Sequence, residues 1–208
     1  MAFRIAVLIS GEGSNLQALL DTVHGEAAEV VGVASSRAEA HGLERARAAG
    51  VEGRVFAIAD HADRAARDQA MGDWLDELDV DLVVLAGFME LLGPELIARF
   101  SGRIVNVHPS LLPAFAGIGA IEQALAYGVK VMGVTVHLVD EGVDSGPVVL
   151  QESFALVPYP RGIAEVEERI HEVEHRLLPR AVKLIAEGRV HPDPDNPRLL
   201  RIEDGERD

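Results

Sequence analysis

Short, nearly uninterrupted apolar runs recur along this chain, separated by stretches of helical periodicity. The runs are "RIAVLIS" (4–10), "EVVGVAS" (29–35), "RVFAIA" (54–59), "DLVVLAG" (81–87), "RIVNVH" (103–108), "MGVTVHLV" (132–139) and "PVVLQESFAL" (147–156). Between them lie the amphipathic stretches "NLQALLDTV", "EAHGLERARAAG", "ADRAARDQAMGDWLDEL" and "AIEQALAYG". A strand apolar on both faces must be covered on both faces, so this alternation predicts a mostly parallel sheet with helices on each side. The fold class expected is α/β, a single-domain Rossmann-like architecture. "IAEVEERIHEVEHRLLPRAVKLIAEG" reads as one long helix ended by Gly188. The Pro- and Asp-rich residues after it read as a loose tail with at most a short edge strand. A domain over 1–188 and a tail over 189–208 follow.

With 208 residues the chain has material for one sizeable core and little for two. Aromatics are 4% of residues, so Val, Leu, Ile and Ala must fill that core. The absence of cysteine excludes disulfides and thiol catalysis, and suits a reducing cytoplasm. A formal net charge of −15 without a Lys/Arg run disfavours nucleic acid as a partner. No run reaches transmembrane length, and "FRIAVLIS" lacks a signal-peptide cleavage site. A soluble cytoplasmic protein is expected, with no membrane partner, as a monomer or homodimer.

"VLISGEGSNLQALL" is a strand, a glycine turn and a helix start. No Lys follows the glycines, as a Walker loop requires, and Leu16 stands where a dinucleotide fingerprint needs its third Gly. Two readings remain. Gly11, Glu12, Gly13, Ser14 and Asn15 form a small phosphate cradle on unpaired helix N–H groups, or they form a tight turn capped by Ser14 or Asn15.

"RIVNVHPSLLP" carries more chemistry. Strand alternation puts Asn106 and His108 on one face, at the carboxyl end where open parallel sheets hold ligands. An amide donor beside an imidazole suits acyl-type transfer, one stabilising an oxyanion and the other moving a proton. The bland alternative is a hydrogen-bonded Asn and a core His. Downstream, "HLVDEGVDSGPVV" offers Asp144 in a fixed loop position, where a carboxylate near His108 would favour the imidazolium. Asp140 and Glu141 read as solvated or capping residues, and His137 as structural. "HEVEH" (171–175) matches the zinc-protease pattern, with both histidines on one helix face. Glu165, Glu167, Glu168 and Arg169 surround it, and zincins need a third ligand and an apolar setting. The match reads as an accident of a charged helix, and no metal is expected.

Together these segments resemble the folate-dependent phosphoribosylglycinamide formyltransferases. The resemblance rests on "VLISGEGSNLQALL", "VVLAGFMELL", "IVNVHPSLLPAF" and "GVTVHLVDEGVDSGPVVLQE", with a Glu-His pair in the last helix. It implies the formyltransferase fold, formyl transfer in purine synthesis, and Asn106, His108 and Asp144 as the catalytic trio. It further implies that Gly11, Glu12, Gly13, Ser14 and Asn15 hold the phosphate of glycinamide ribonucleotide, which Glu174 also contacts. The co-substrate implied is 10-formyltetrahydrofolate, against Met89, Glu90, Leu91 and Leu92 and against Asp140, Glu141, Gly142, Val143 and Asp144, with Arg64 near its tail.

Two positions depart from the family pattern. Glu90 stands where a basic residue is usual, and its charge is expected to oppose the carboxylate tail of the folate. Ala116 and Gly119 replace a Pro and a His, and Gly119 is expected to loosen the loop after Pro113. A hydrolase or a formyltransferase with another acceptor is the nearest alternative. Its usual versions carry an extra domain, which a chain opening at the first strand and acidic throughout disfavours. A catalytically silent folate- or nucleotide-binding homologue is the alternative from a different class.

Overall fold

The computed structural model of the chain describes residues 2–203. The last five residues of the expected tail lie outside that range. Strands β1 (Arg4–Ile9), β2 (Glu29–Ser35), β3 (Gly53–Val55), β4 (Leu82–Leu85), β5 (Ile104–His108), β6 (Val131–Leu138) and β7 (Val148–Ala155) belong to one sheet, in the order β3-β2-β1-β4-β5-β6-β7. By compactness the chain divides into Met1–Asn106 and Val107–Asp208.

In the first unit every neighbouring pair of strands is parallel, β1 with β2 and β4, β2 with β3, and β4 with β5. Parallel neighbours need crossovers, which helices supply: α1 (Ser14–Thr22), α2 (Gly42–Ala48), α3 (Arg64–Glu77) and α4 (Pro94–Arg99). Ile5, Ala6, Val7, Leu8 and Ile9 of β1 are fully buried, as a central strand covered on both faces demands. Asp63 caps α3, its carboxylate accepting from the Ala66 N–H at 2.8 Å. That helix buries Met71, Trp74 and Leu75, and Trp74 packs on Phe56 with ring centroids 5.5 Å apart.

The expected strand over 54–59 is shorter than predicted. Only Gly53–Val55 pairs with β2, and a 3-10 turn, Ile58–Asp60, takes the rest.

In the second unit β6 and β7 pair antiparallel, and α5 (Ala120–Tyr127) and α6 (Ile163–Ala186) complete the layer. Along α6, Val166, Ile170, Val173, Leu177, Ala181 and Leu184 recur at three- and four-residue spacing and are buried. Each large aliphatic side chain so buried contributes about 1.5–3 kcal/mol. Gly188 ends the helix at φ +66. The stretch expected to be loose forms a hairpin, β8 (Val190–Pro192) with β9 (Leu200–Ile202), and Leu199 bridges to Val148 of β7. Leu200 is buried there, and the apolar contact explains the order.

Candidate active site

His108 closes β5 and is 5% exposed. Its Nδ1 lies 3.3 Å from Asp144 Oδ2, and its Nε2 lies 2.9 Å from the Phe115 carbonyl. Both ring nitrogens therefore face acceptors. Asp144 sits at φ +49, a left-handed backbone open to Asp, and turns its carboxylate back toward β5 and β6. Its Oδ2 also accepts from the Gly117 N–H at 2.8 Å, and its Oδ1 lies 3.5 Å from His137 Nε2. The hydrogen bond with His137 comes first among the causes that lower the Asp144 pKa to about 2, the Gly117 N–H and the charge of His108 add to it, and burial opposes them.

His137 is thus part of this cluster. It is 1% exposed, with Nδ1 2.9 Å from the Leu138 carbonyl and Nε2 left for Asp144. Read from β6 alone, His137 is one more inward residue of an alternating strand. The available clue was its position seven residues before Asp144, at the mouth of the same loop.

The loop after His108 is pinned rather than loose. The buried Thr135 hydroxyl donates to the Ser110 carbonyl at 2.6 Å and accepts from the Leu112 N–H at 3.1 Å. Gln151 Nε2 donates to the Leu112 carbonyl at 2.9 Å, and Ser110 Oγ donates to the Ala114 carbonyl at 2.6 Å. Gly119 stands at the N-cap of α5 with φ 72 and ψ 33, its carbonyl accepting from the Gln123 N–H. Asp140 accepts from Gly142 N–H and from Ser145 Oγ within the loop between β6 and β7. Glu141, Gly142 and Val143 are exposed, and Glu174 is buried in α6 at 7% exposure.

Asn106 lies two residues before His108 on β5, so alternation places both on one face of the strand. In the first unit, Gly13 is the N-cap of α1, left-handed at φ 71 and ψ 32, and no side chain caps the helix. Ser14 and Asn15 are therefore the first helical residues and not caps, which removes the capped-turn reading. The first turn of α1 carries no acidic residue, and its leading N–H groups have no partner within the helix. Arg45 Nε donates to the Glu12 carbonyl at 2.9 Å, and His41 Nδ1 lies 3.7 Å from the Glu12 carboxylate.

Met89 and Leu91 are exposed, at 75% and 60%. The Glu90 carboxylate is partly exposed, its side chain at 27%. It lies 2.7 Å from Nη1 of Arg67, a side chain with no exposure at all. Arg64 is exposed at the start of α3. In "HEVEH" the His171 and His175 rings stack 6.1 Å apart, and burial, with help from His171, holds His175 below the usual imidazole pKa. Among the described residues no group of three His, Cys, Asp or Glu side chains is placed to hold a metal ion. No helix among them is long and apolar enough to cross a membrane.

A buried His–Asp pair at the carboxyl end of a strand is an arrangement suited to proton movement in group transfer. Residues 3–182 match the formyl transferase family, and the chain belongs to it. It is similar to the phosphoribosylglycinamide formyltransferase of Haemophilus influenzae, 43% identical over 90% of this chain and 89% of that one. A match of 44% to the trifunctional purine biosynthetic protein adenosine-3 of Homo sapiens covers 90% of this chain and 19% of that protein. Among solved structures, glycinamide ribonucleotide transformylase 1 from Symbiobacterium toebii superposes with a TM-score of 0.92 at 45% identity, over 98% of this chain and 95% of that one.

Proposed function

We propose that this chain transfers the formyl group of 10-formyltetrahydrofolate to the amine of glycinamide ribonucleotide, a step of purine synthesis. The observation that carries the reading is the buried His108–Asp144 pair, with Asn106 two residues back on the same strand. The folate supplies the activated formyl carbon. As the amine adds to that carbon, charge grows on the formyl oxygen, and Asn106 and His108 are the donors for it. Asp144 holds His108 through Nδ1, which leaves Nε2 as the donating edge, and the formyl oxygen takes over from the Phe115 carbonyl as its acceptor. The incoming amine gives up one proton and the departing folate nitrogen gains one. Asp144, ionised at any working pH, keeps His108 oriented throughout that exchange.

Gly11, Glu12, Gly13, Ser14 and Asn15 receive the nucleotide phosphate on the start of α1, with Arg45 holding the Glu12 carbonyl, and Glu174 contacts the same substrate. Folate binding falls to residues 89–92 and 140–143 with Arg64 at the tail. In the first of these segments the exposed apolar side chains Met89 and Leu91 suit an aromatic ligand. The domain over 1–188 carries the reaction, in the cytoplasm, as a monomer or homodimer. Incubating the protein with formylfolate and glycinamide ribonucleotide, with water alone as the control acceptor, tests this. Formylated nucleotide is expected; deformylation without nucleotide dependence would establish the hydrolase instead, and folate binding without turnover the silent homologue.

A further inference from the structure

One buried cation in the first unit has no part in the chemistry above. Arg67 lies in the first turn of α3, its side chain fully buried, where an Arg is found only when paired. Its Nε lies 2.5 Å from Asp68 Oδ1 on the same helix, and its other partners converge on one short segment. Nη1 donates to Glu90 Oε2 at 2.7 Å, Nη2 donates to the Leu91 carbonyl at 3.2 Å, and the guanidinium stacks over the Phe88 ring, 5.6 Å from its centroid. The next residue of α3, Asp68, is also buried and accepts from the Gly93 N–H at 2.6 Å. Met89 N–H, between these points, donates to the Ser10 hydroxyl at 2.8 Å, and Ser10 pairs with Ser36. Positions 88, 89, 90, 91 and 93 are thus each held by a defined contact, while the Met89 and Leu91 side chains stay exposed.

We propose that Arg67 and Asp68 are positioning residues that fix the backbone of residues 89–93 for folate, and that Glu90 shares with Asp68 the role of counter-ion to Arg67, in place of a ligand contact. The proposal rests on the formyltransferase reading of that segment. It inverts the expectation from sequence. A basic residue at 90 would place a second cation against a buried guanidinium, so restoring it would harm folate binding here and not improve it. The negative charge at 90 is matched to the Arg at 67 and belongs to this chain's own way of holding the segment.

The test measures binding of a formylfolate analogue to the nucleotide-free protein, together with KM for both substrates and kcat. The variants are Glu90→Arg, Glu90→Gln, Asp68→Ala and the exchange Arg67→Glu with Glu90→Arg. Amide hydrogen exchange at Met89 and Gly93 reports the clamp without any ligand. Glu90→Arg is expected to weaken folate binding and raise folate KM on the order of tenfold, the scale of a displaced contact segment, with nucleotide KM little changed. Glu90→Gln keeps an acceptor and should lie between. Asp68→Ala should speed exchange at Gly93 and weaken folate binding in parallel. Recovery in the exchanged pair would show direct coupling, and because that double variant moves a buried charge, Glu90→Gln and Asp68→Ala decide the matter if it fails to fold.

Folate binding unchanged or tightened in Glu90→Arg would overturn the proposal. So would faster exchange at Gly93 with folate affinity intact. A natural chain that binds no formylfolate analogue at all would sink the functional reading and the role of the segment together. That result is distinct from intact binding that ignores position 90, which removes only the positioning role.

Discussion

Asp144 is held from three sides, by His137, Gly117 and His108, and that geometry sets what its replacement should do. Asp144→Asn keeps the shape and loses the charge that orients His108, and His108→Ala removes the donor itself. Both should lower kcat by about 10²–10⁴-fold, the usual contribution of a positioned acid–base group, with nucleotide KM nearly unchanged in steady-state kinetics. A kcat within a factor of two or three of the natural chain would remove that residue from the mechanism. Gly119→His is the second informative change. A Cβ there meets nothing nearer than Glu122 Oε2 at 3.6 Å, so space is available, but the backbone is left-handed at φ +72. The strain of about 1 kcal/mol should lower Tm by roughly 2–4 °C. Turnover should still rise on the order of tenfold if the imidazole regains one oriented hydrogen bond. Unchanged kcat with lowered Tm would reduce Gly119 to a helix cap. The closeness of Asp144 to His108 was legible because a strand end and a glycine-fixed loop constrain direction. Arg67 was not, because nothing in "ADRAARDQAM" separates a buried Arg from the exposed Arg64 three residues earlier.

The start of α1 distinguishes a local loss from a global one. Ser14 is its first helical residue, so Ser14→Pro deletes one N–H of the proposed phosphate cradle. Nucleotide KM should rise several-fold, folate KM should hold, and thermal denaturation should show little change. Gly13→Val behaves differently, because its Cβ would fall 2.7 Å from Gly42 Cα at the head of α2, on a left-handed backbone. It should lower Tm and weaken both ligands together. Equal losses in Ser14→Pro would remove phosphate binding from this turn. Among the elements, β2 was legible to the residue because its apolar run is continuous and bounded by polar neighbours. Helix α4 was not: its six residues are too few to show a period, and only Pro94 at its first turn marks it. Strand β3 was overcalled since Phe56 turns its ring onto Trp74 and the chain then enters a 3-10 turn in which the apolar Ile58 is exposed.

Across the entire molecule, acid is the condition that the described electrostatics predict best. The Asp144 pKa is lowered from 3.8 to about 2 on folding. A depressed carboxylate contributes stability that is complete above its unfolded value and is lost as pH falls through the folded one. The loss therefore lies between about pH 4 and pH 2, and its size is of the order of 2 kcal/mol. Urea unfolding of the natural chain and of Asp144→Asn should differ most near neutral pH and converge toward pH 2. A gap that stays constant across that range would show that Asp144 is not the titrating source. The same carboxylate cannot produce an activity limb above pH 4.

The hairpin of β8 and β9 brings Arg198 to the loop that carries Asp144: Nη2 donates to the Ser145 carbonyl at 2.6 Å, across 53 residues of sequence. During synthesis, at roughly 5–20 residues per second, the ribosome finishes Ser145 about 3–11 s before it finishes Arg198. A nascent chain in that interval can pair β6 with its neighbours while the loop beside Asp144 still lacks its last tether. Translation that stalls inside the long helix would leave His108 and Asp144 translated, with the residue that tethers their loop not yet made.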